Sequence, residues 1–159
     1  MKIRMGFVTN SSSSSFIVAF DKEINTLADA TDVINALIGK HGIAGVEYGL
    51  VSSFIDTLPH SIDKQVMINA LARKLHECIS HGRRVTSSDG DFETAEDYYD
   101  SYYRGDGDLS FREKLERLIA TNKDRCIYEF EVSDDTAIGS CLEHGDLLRK
   151  LPHIIVSLH

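Results

Sequence analysis

The sequence predicts an α+β domain built around a small mixed β-sheet. Amphipathic stripes at helical spacing fill the middle of the chain, clusters of β-forming residues stand at its two ends, and 159 residues fit one domain, residues 1–159. Hydrophobic residues make up 42% of the chain, enough for a core, and the 26% of charged residues is ordinary for a globular protein. Four to five helices are expected, with an N-terminal β-hairpin and a C-terminal strand–helix–strand unit.

Lys2 to Val8 and Phe16 to Phe20 read as the two strands of the hairpin. The loop between them is Thr9-Asn10 and five serines, whose side chains bond nearby backbone groups and favour turns. Thr31 to Lys40 reads as a helix with Val33, Ile34, Leu37 and Ile38 in one stripe and Gly42 as its stop. Ile43 to Phe54 reads as a strand interrupted by Gly45 and Gly49. Ser61 caps the clearest helix, which places Ile62, Val66, Ala70, Leu71, Leu75, Cys78 and Ile79 on one face and ends at Gly82.

Arg83 to Ser87 reads as a short strand, and Glu93 to Tyr103 as an acidic, poorly buried helix. Ser110-Phe111-Arg112-Glu113 is a capping box, with Leu115, Leu118 and Ile119 inward beyond it. Cys126 to Val132 alternates like a strand. Ser140-Cys141-Leu142-Glu143 reads as a second capping box, opening a helix that stops before Pro152, and Ile154 to Leu158 is the last strand.

The net charge of −8 argues against general nucleic-acid binding, which needs Lys and Arg in excess, and permits an acidic surface for a basic partner. Three widely spaced cysteines are no disulfide framework, the N-terminus has no apolar signal segment, and no apolar run suffices to span a membrane. A cytoplasmic location is the expectation.

The C-terminal third carries the first candidate site. Residues Ser133 to Leu151 separate two strands, which is long enough for a crossover between strands of the same direction. Asp134, Asp135 and His159 then lie past the same strand ends, with Glu143 and His144 in the first turn of the intervening helix. Strand carboxyl ends and helix N-termini are where ligands, anions above all, are held. His153 stands at the other end of the last strand, so strands of the same direction select His159 and strands of opposite direction select His153.

Carboxylates and imidazoles together hold a divalent metal or move protons, which makes Asp134, Asp135, His144 and His159 catalytic candidates and His144 and His159 metal ligands. Against this stands the simpler view of a solvated turn, a helix cap and surface histidines. A separate zinc reading joins Cys78-x-x-His81 to Cys141-x-x-His144, although Cys78 falls on an apolar helix face.

The serine loop is the second candidate site. Its amides and hydroxyls at Asn10, Ser11, Ser12 and Ser13 can cradle the phosphate of a small ligand, although the loop lacks the Gly and Lys of a P-loop. The stretch Arg4-Met5-Gly6-Phe7-Val8-Thr9-Asn10 followed by Ser11 to Ser15, Phe16 and Ile17 resembles the N-terminal signature of a group of small uncharacterised phage and bacterial proteins. Glu143-His144-Gly145-Asp146, Leu151-Pro152-His153 and Ser157-Leu158-His159 are similar to that group's C-terminal end. The resemblance implies a phage or bacterial setting and no particular reaction.

Glu96, Asp97, Tyr98, Tyr99 and Asp100 form an acidic aromatic patch suited to a protein partner. Two functions follow. One is binding or hydrolysis of a nucleotide or phosphoester by the C-terminal His and Asp residues and the serine loop. The other is a non-enzymatic acidic protein that engages a host factor or inhibits a nucleic-acid enzyme.

Overall fold

A computed structural model describes residues 13–41, 64–102 and 109–157. The expected strand at Lys2–Val8, the one at Ile43–Phe54, the helix stop at Gly42 and the helix cap at Ser61 lie outside these residues.

The elements in chain order are β1 (Ser13–Phe20), α1 (Leu27–His41), α2 (Lys64–Ser80), β2 (Arg83–Arg84), α3 (Glu93–Tyr102), α4 (Phe111–Thr121), β3 (Cys126–Ser133), α5 (Ala137–His144), a 3-10 turn (Leu148–Lys150) and β4 (His153–Ser157). The strands form one sheet in the order β2-β3-β1-β4. The fold class is α+β, and every strand pairing is antiparallel, so the sheet is not mixed. β3 and β4 do run in the same direction, as the crossover requires, but β1 lies between them and opposes both.

β1 is the centre of the molecule. From Phe16 to Phe20 no residue is more than 1% exposed. Side chains alternate across the sheet, so Phe16, Val18 and Phe20 face one core with α1, α2 and α5, while Ile17 and Ala19 face a second core with α3 and α4. Helices therefore cover both sides of an antiparallel sheet. That explains why its central strand reads as the unbroken apolar run Phe16-Ile17-Val18-Ala19-Phe20 and not as an alternation. Phe16 stacks on Phe130 at 5.7 Å between ring centroids.

The serine run does not all belong to a loop. Ser13, Ser14 and Ser15 are the first residues of β1, paired with Ser133, Val132 and Glu131 of β3, and Ser14 and Ser15 are buried. Backbone pairing to two neighbouring strands outweighs the turn preference of serine here.

α1 buries the expected Val33, Ile34, Leu37 and Ile38, and Ala30 with them. It begins at Leu27, a turn earlier than its apolar stripe announces, because Thr26 and Asp29 cap it reciprocally. Thr26 Oγ1 accepts the Asp29 N–H at 3.2 Å, and the Asp29 carboxylate accepts the N–H groups of Asn25 and Thr26 at 3.0 Å each. α2 is rotated from its expected face. Val66 is 58% exposed, and Met67, Ile68, Leu71, Ala72, Leu75, Cys78 and Ile79 are buried. At the end of α2, Gly82 passes so close to β3 that a Cβ there would overlap the Glu129 carbonyl. The capping box at Ser110 forms as expected, with Ser110 Oγ accepting from Glu113 N–H at 3.2 Å.

The Asn25 amide, the Lys22 ammonium and the Thr26 amide together hold the Asp29 carboxyl well below the usual carboxylate range. A carboxyl whose pKa is depressed on folding adds stability above its unfolded pKa and loses it as the pH falls towards its folded value. Asp29→Ala is therefore expected to lower Tm at neutral pH, with the gap to the parent closing as pH drops below about 4. Thermal melts of both proteins between neutral and acid pH check this, and a gap independent of pH would contradict it.

Candidate metal centre

The end of the sheet where β3 and β4 finish and β1 begins gathers most of the chemistry foreseen in the C-terminal third. β3 ends at Ser133, opposite Ser13, and Ser157 of β4 is opposite Ser14. Asp134 and Asp135 follow β3 directly. α5 then starts with Thr136 as its cap, whose hydroxyl accepts the Gly139 N–H at 3.0 Å.

This corrects the expected helix start at Ser140. The apolar stripe of Cys141 and Leu142 lies inside a helix that begins at Ala137, and the Ser140 N–H donates to the Thr136 carbonyl at 2.9 Å. Glu143 and His144 consequently stand in the last turn of α5, not the first. The polarity of the site is thereby reversed, because a helix C-terminus carries partial negative charge and favours a cation. Arg149 reinforces that end, donating from Nη1 to the carbonyls of Glu143 and Gly145 at 3.1 and 2.6 Å.

Gly139 sets how closely α5 approaches the sheet. A Cβ there would lie 2.2 Å from the Ser133 carbonyl oxygen, so only glycine lets the helix sit directly on the strand end. One turn later Glu143 points at β1. Its side chain is fully buried, and it accepts a hydrogen bond of 2.9 Å from Ser14 Oγ. His144 Nε2 lies 3.5 Å from Glu143 Oε2 and 3.3 Å from Asp134 Oδ2. Asp134, Glu143 and His144 each offer a ligand atom, and the three atoms lie within 4.8 Å of one another.

Buried Glu143 and half-exposed His144 and Asp134 form a site closed on the sheet side and open on the other. A tetrahedral ion with ligands at about 2.0–2.1 Å separates its ligand atoms by roughly 3.3–3.4 Å, which the two His144 distances match.

Beside this cluster runs a groove of about 290 Å³ between α2 and β3, lined by Ser13, Lys74, His81, Glu131, Ser133 and Asp135 among others. It shares two consecutive pairs with the cluster, since Ser13 precedes Ser14 and Asp135 follows Asp134.

Of the residues singled out in the sequence, Asp134 and His144 come together, Asp135 and Ser13 line the neighbouring groove, and Asn10, Ser11, Ser12 and His159 lie outside the described residues. His153 begins β4 at the opposite end of the sheet, its ring nitrogen 2.7 Å from the Leu151 carbonyl. The fork between the two histidines is thus resolved against His153. The zinc reading through Cys78 and Cys141 also fails. Both cysteines are buried in the core shared by α2 and α5, and burial pushes each thiol up to about 11, disfavouring the thiolate a metal requires.

The acidic aromatic helix is largely structural. Tyr99 is buried against Phe111 at 5.9 Å, Glu96 pairs with Arg112 at 2.8 Å, and Asp100 accepts the Phe111 N–H at 3.3 Å at the start of α4. Exposed Asp97 and half-buried Tyr98 are what remain of that patch.

Sequence reasoning missed Ser14 and Gly139 and valued Glu143 only as a cap. The signals were present. Ser14 shares the even-numbered face of β1 with Phe16, Val18 and Phe20, and Thr136-x-x-Gly139 competes with Ser140-x-x-Glu143 as a helix start. Comparison with protein-family models, with curated proteins and with solved structures gave no match to this chain.

The buried pair makes a direct prediction. Ser14→Ala removes the hydroxyl donor from a carboxylate that water cannot reach, and is expected to destabilise the protein by about 1–3 kcal/mol. Urea denaturation measures this. An unchanged midpoint would show that Glu143 does not rely on Ser14.

Proposed function

We propose that the protein binds one divalent cation through Asp134, Glu143 and His144 and uses it to hydrolyse a phosphoester in the adjoining groove. The observation that carries this reading is the convergence of two carboxylates and an imidazole within 4.8 Å, beside the C-terminal end of a helix. A cation there would sit against the fully buried Glu143 carboxylate. When bound, such an ion polarises a water molecule and a phosphoryl oxygen.

The protein's own groups take the remaining roles. Asp135, next to a ligand and exposed along the groove, accepts the proton of the attacking water. Lys74 in the same groove faces the substrate's negative oxygens. The water oxygen adds to phosphorus as the ester P–O bond breaks, and the alcohol leaves with a proton from solvent or from His81. Because Glu77, Glu131 and Asp135 line the groove, with Glu77 3.9 Å from Lys74, an anionic substrate enters only once the cation has offset their charge. Ser13 lines the groove, and Ser14 is committed to Glu143.

Titration calorimetry with Zn²⁺ and Mn²⁺ tests the reading. One equivalent is expected to bind the parent, and none to bind His144→Ala or Glu143→Gln. Glu143→Gln keeps a carbonyl oxygen that can accept from Ser14 and removes the carboxylate charge. Absence of binding in the parent, or full binding in both variants, would overturn the proposal.

A further inference from the structure

The opposite end of the sheet carries a second groove with the reverse chemistry. It has a volume of about 250 Å³ and lies between the α2 end, the start of β3 and the segment before α1. Ile24, Ile79 and the Tyr128 ring make its apolar floor, and Asn25, His76 and Arg84 stand round it. No carboxylate lines it among the described residues, although the chain as a whole carries a net charge of −8.

The polar groups presented there are short of acceptors. The Tyr128 hydroxyl accepts the Ile24 N–H at 2.9 Å, and its own hydrogen has no acceptor among the described residues, although the side chain is 6% exposed. A hydroxyl both donates and accepts, so one half of its capacity is left over. The Arg84 guanidinium lies 5.5 Å over the Tyr128 ring, and among the described residues it pairs with Glu23 at 3.5 Å, both side chains being well exposed. Such a pair is weak and easily exchanged for a better one. Arg83 differs, because its Nε is bound to Glu129 at 2.7 Å and its Nη2 to the Asp91 carbonyl at 3.0 Å. The donors beside the apolar floor are therefore the Tyr128 hydroxyl, the His76 ring in its donor form, and Arg84, whose pair with Glu23 is exposed.

We propose that this groove binds a small phosphate monoester. Its oxygens accept from Tyr128 and Arg84 and, on the α2 side, from His76, and its organic part rests on Ile24, Ile79 and the Tyr128 ring. Charge-assisted bonds from a guanidinium to phosphate are the strong kind, and the space suits a phosphate with one ring, since a water occupies roughly 30 Å³. The site uses no residue of the Asp134 cluster. Ser133 lies five positions along β3 from Tyr128, roughly 17 Å of strand. It therefore stands or falls independently of the metal reading.

The test is a titration of the full chain with phenyl phosphate and, separately, inorganic phosphate, in EDTA so that no divalent ion contributes. Calorimetry gives the affinity, and amide NMR gives the place through the Ile24 N–H, which feels any change at the Tyr128 hydroxyl. Phenyl phosphate is expected to bind one to one with Kd below about 1 mM, more tightly than inorganic phosphate, and to move the Ile24 resonance. Arg84→Gln is expected to weaken it roughly tenfold or more. Tyr128→Phe should weaken it as well. If that variant does not fold, Arg84→Gln, at an exposed side chain, decides the matter alone. The proposal is overturned if phenyl phosphate does not bind in that range, if it binds no better than inorganic phosphate, if Ile24 does not respond, or if Arg84→Gln binds as the parent does.

Discussion

The enclosure of β1 is the constraint on which the rest of the structure depends. The strand is paired on both edges and covered on both faces, so each of its side chains must find a partner inside the protein. Phe16, Val18 and Phe20 find one apolar core, and Ile17 and Ala19 find another. Ser14 lies on the same face as Phe16 with a hydroxyl that water barely reaches. Its partner is Glu143, whose side chain is fully buried beside it. The candidate site thus grows out of the central strand one satisfied group at a time, ending at His144 and Asp134 where solvent begins.

The two ends of the sheet differ in sign because they meet different helix ends and side chains. At the β3 terminus, Asp134 and Glu143 gather carboxylates beside the C-terminal turn of α5, whose last carbonyls accept from Arg149. At the β3 start, Tyr128, Arg84 and His76 line a groove that no carboxylate lines among the described residues. Placing the two about one strand length apart keeps their charges from cancelling, since separations beyond roughly 8–10 Å are largely screened at ordinary salt.

Much of the architecture was legible in the sequence because it rests on period. The stripe of α1, the Ser110 capping box, the alternation in β3 and the crossover to β4 each follow from local residue order. The misreadings arose where two local signals compete and tertiary packing decides. Ser13 to Ser15 look like a turn, but pairing to β3 and β4 makes them strand. Ser140-x-x-Glu143 looks like a helix start, but Thr136 caps earlier and Gly139 lets the helix close on the Ser133 carbonyl. Val66 and Ala70 fit one helical face, while burial of Met67, Ile68 and Ala72 turns α2 away from it. In the site, Asp134 and His144 were visible as residue types suited to a metal. The link from Glu143 to Ser14 spans 129 positions and could not be read from local order.

The central claim is that the buried Glu143, with Asp134 and His144, is organised for a cation. The most direct measurement is a crystal structure of Zn²⁺-soaked protein, with anomalous data collected on both sides of the zinc absorption edge. The account predicts one strong anomalous peak at about 2.0–2.2 Å from an oxygen of Asp134, an oxygen of Glu143 and Nε2 of His144. An anomalous map with no peak there, while the hydrogen bond from Ser14 to Glu143 is intact, would contradict it.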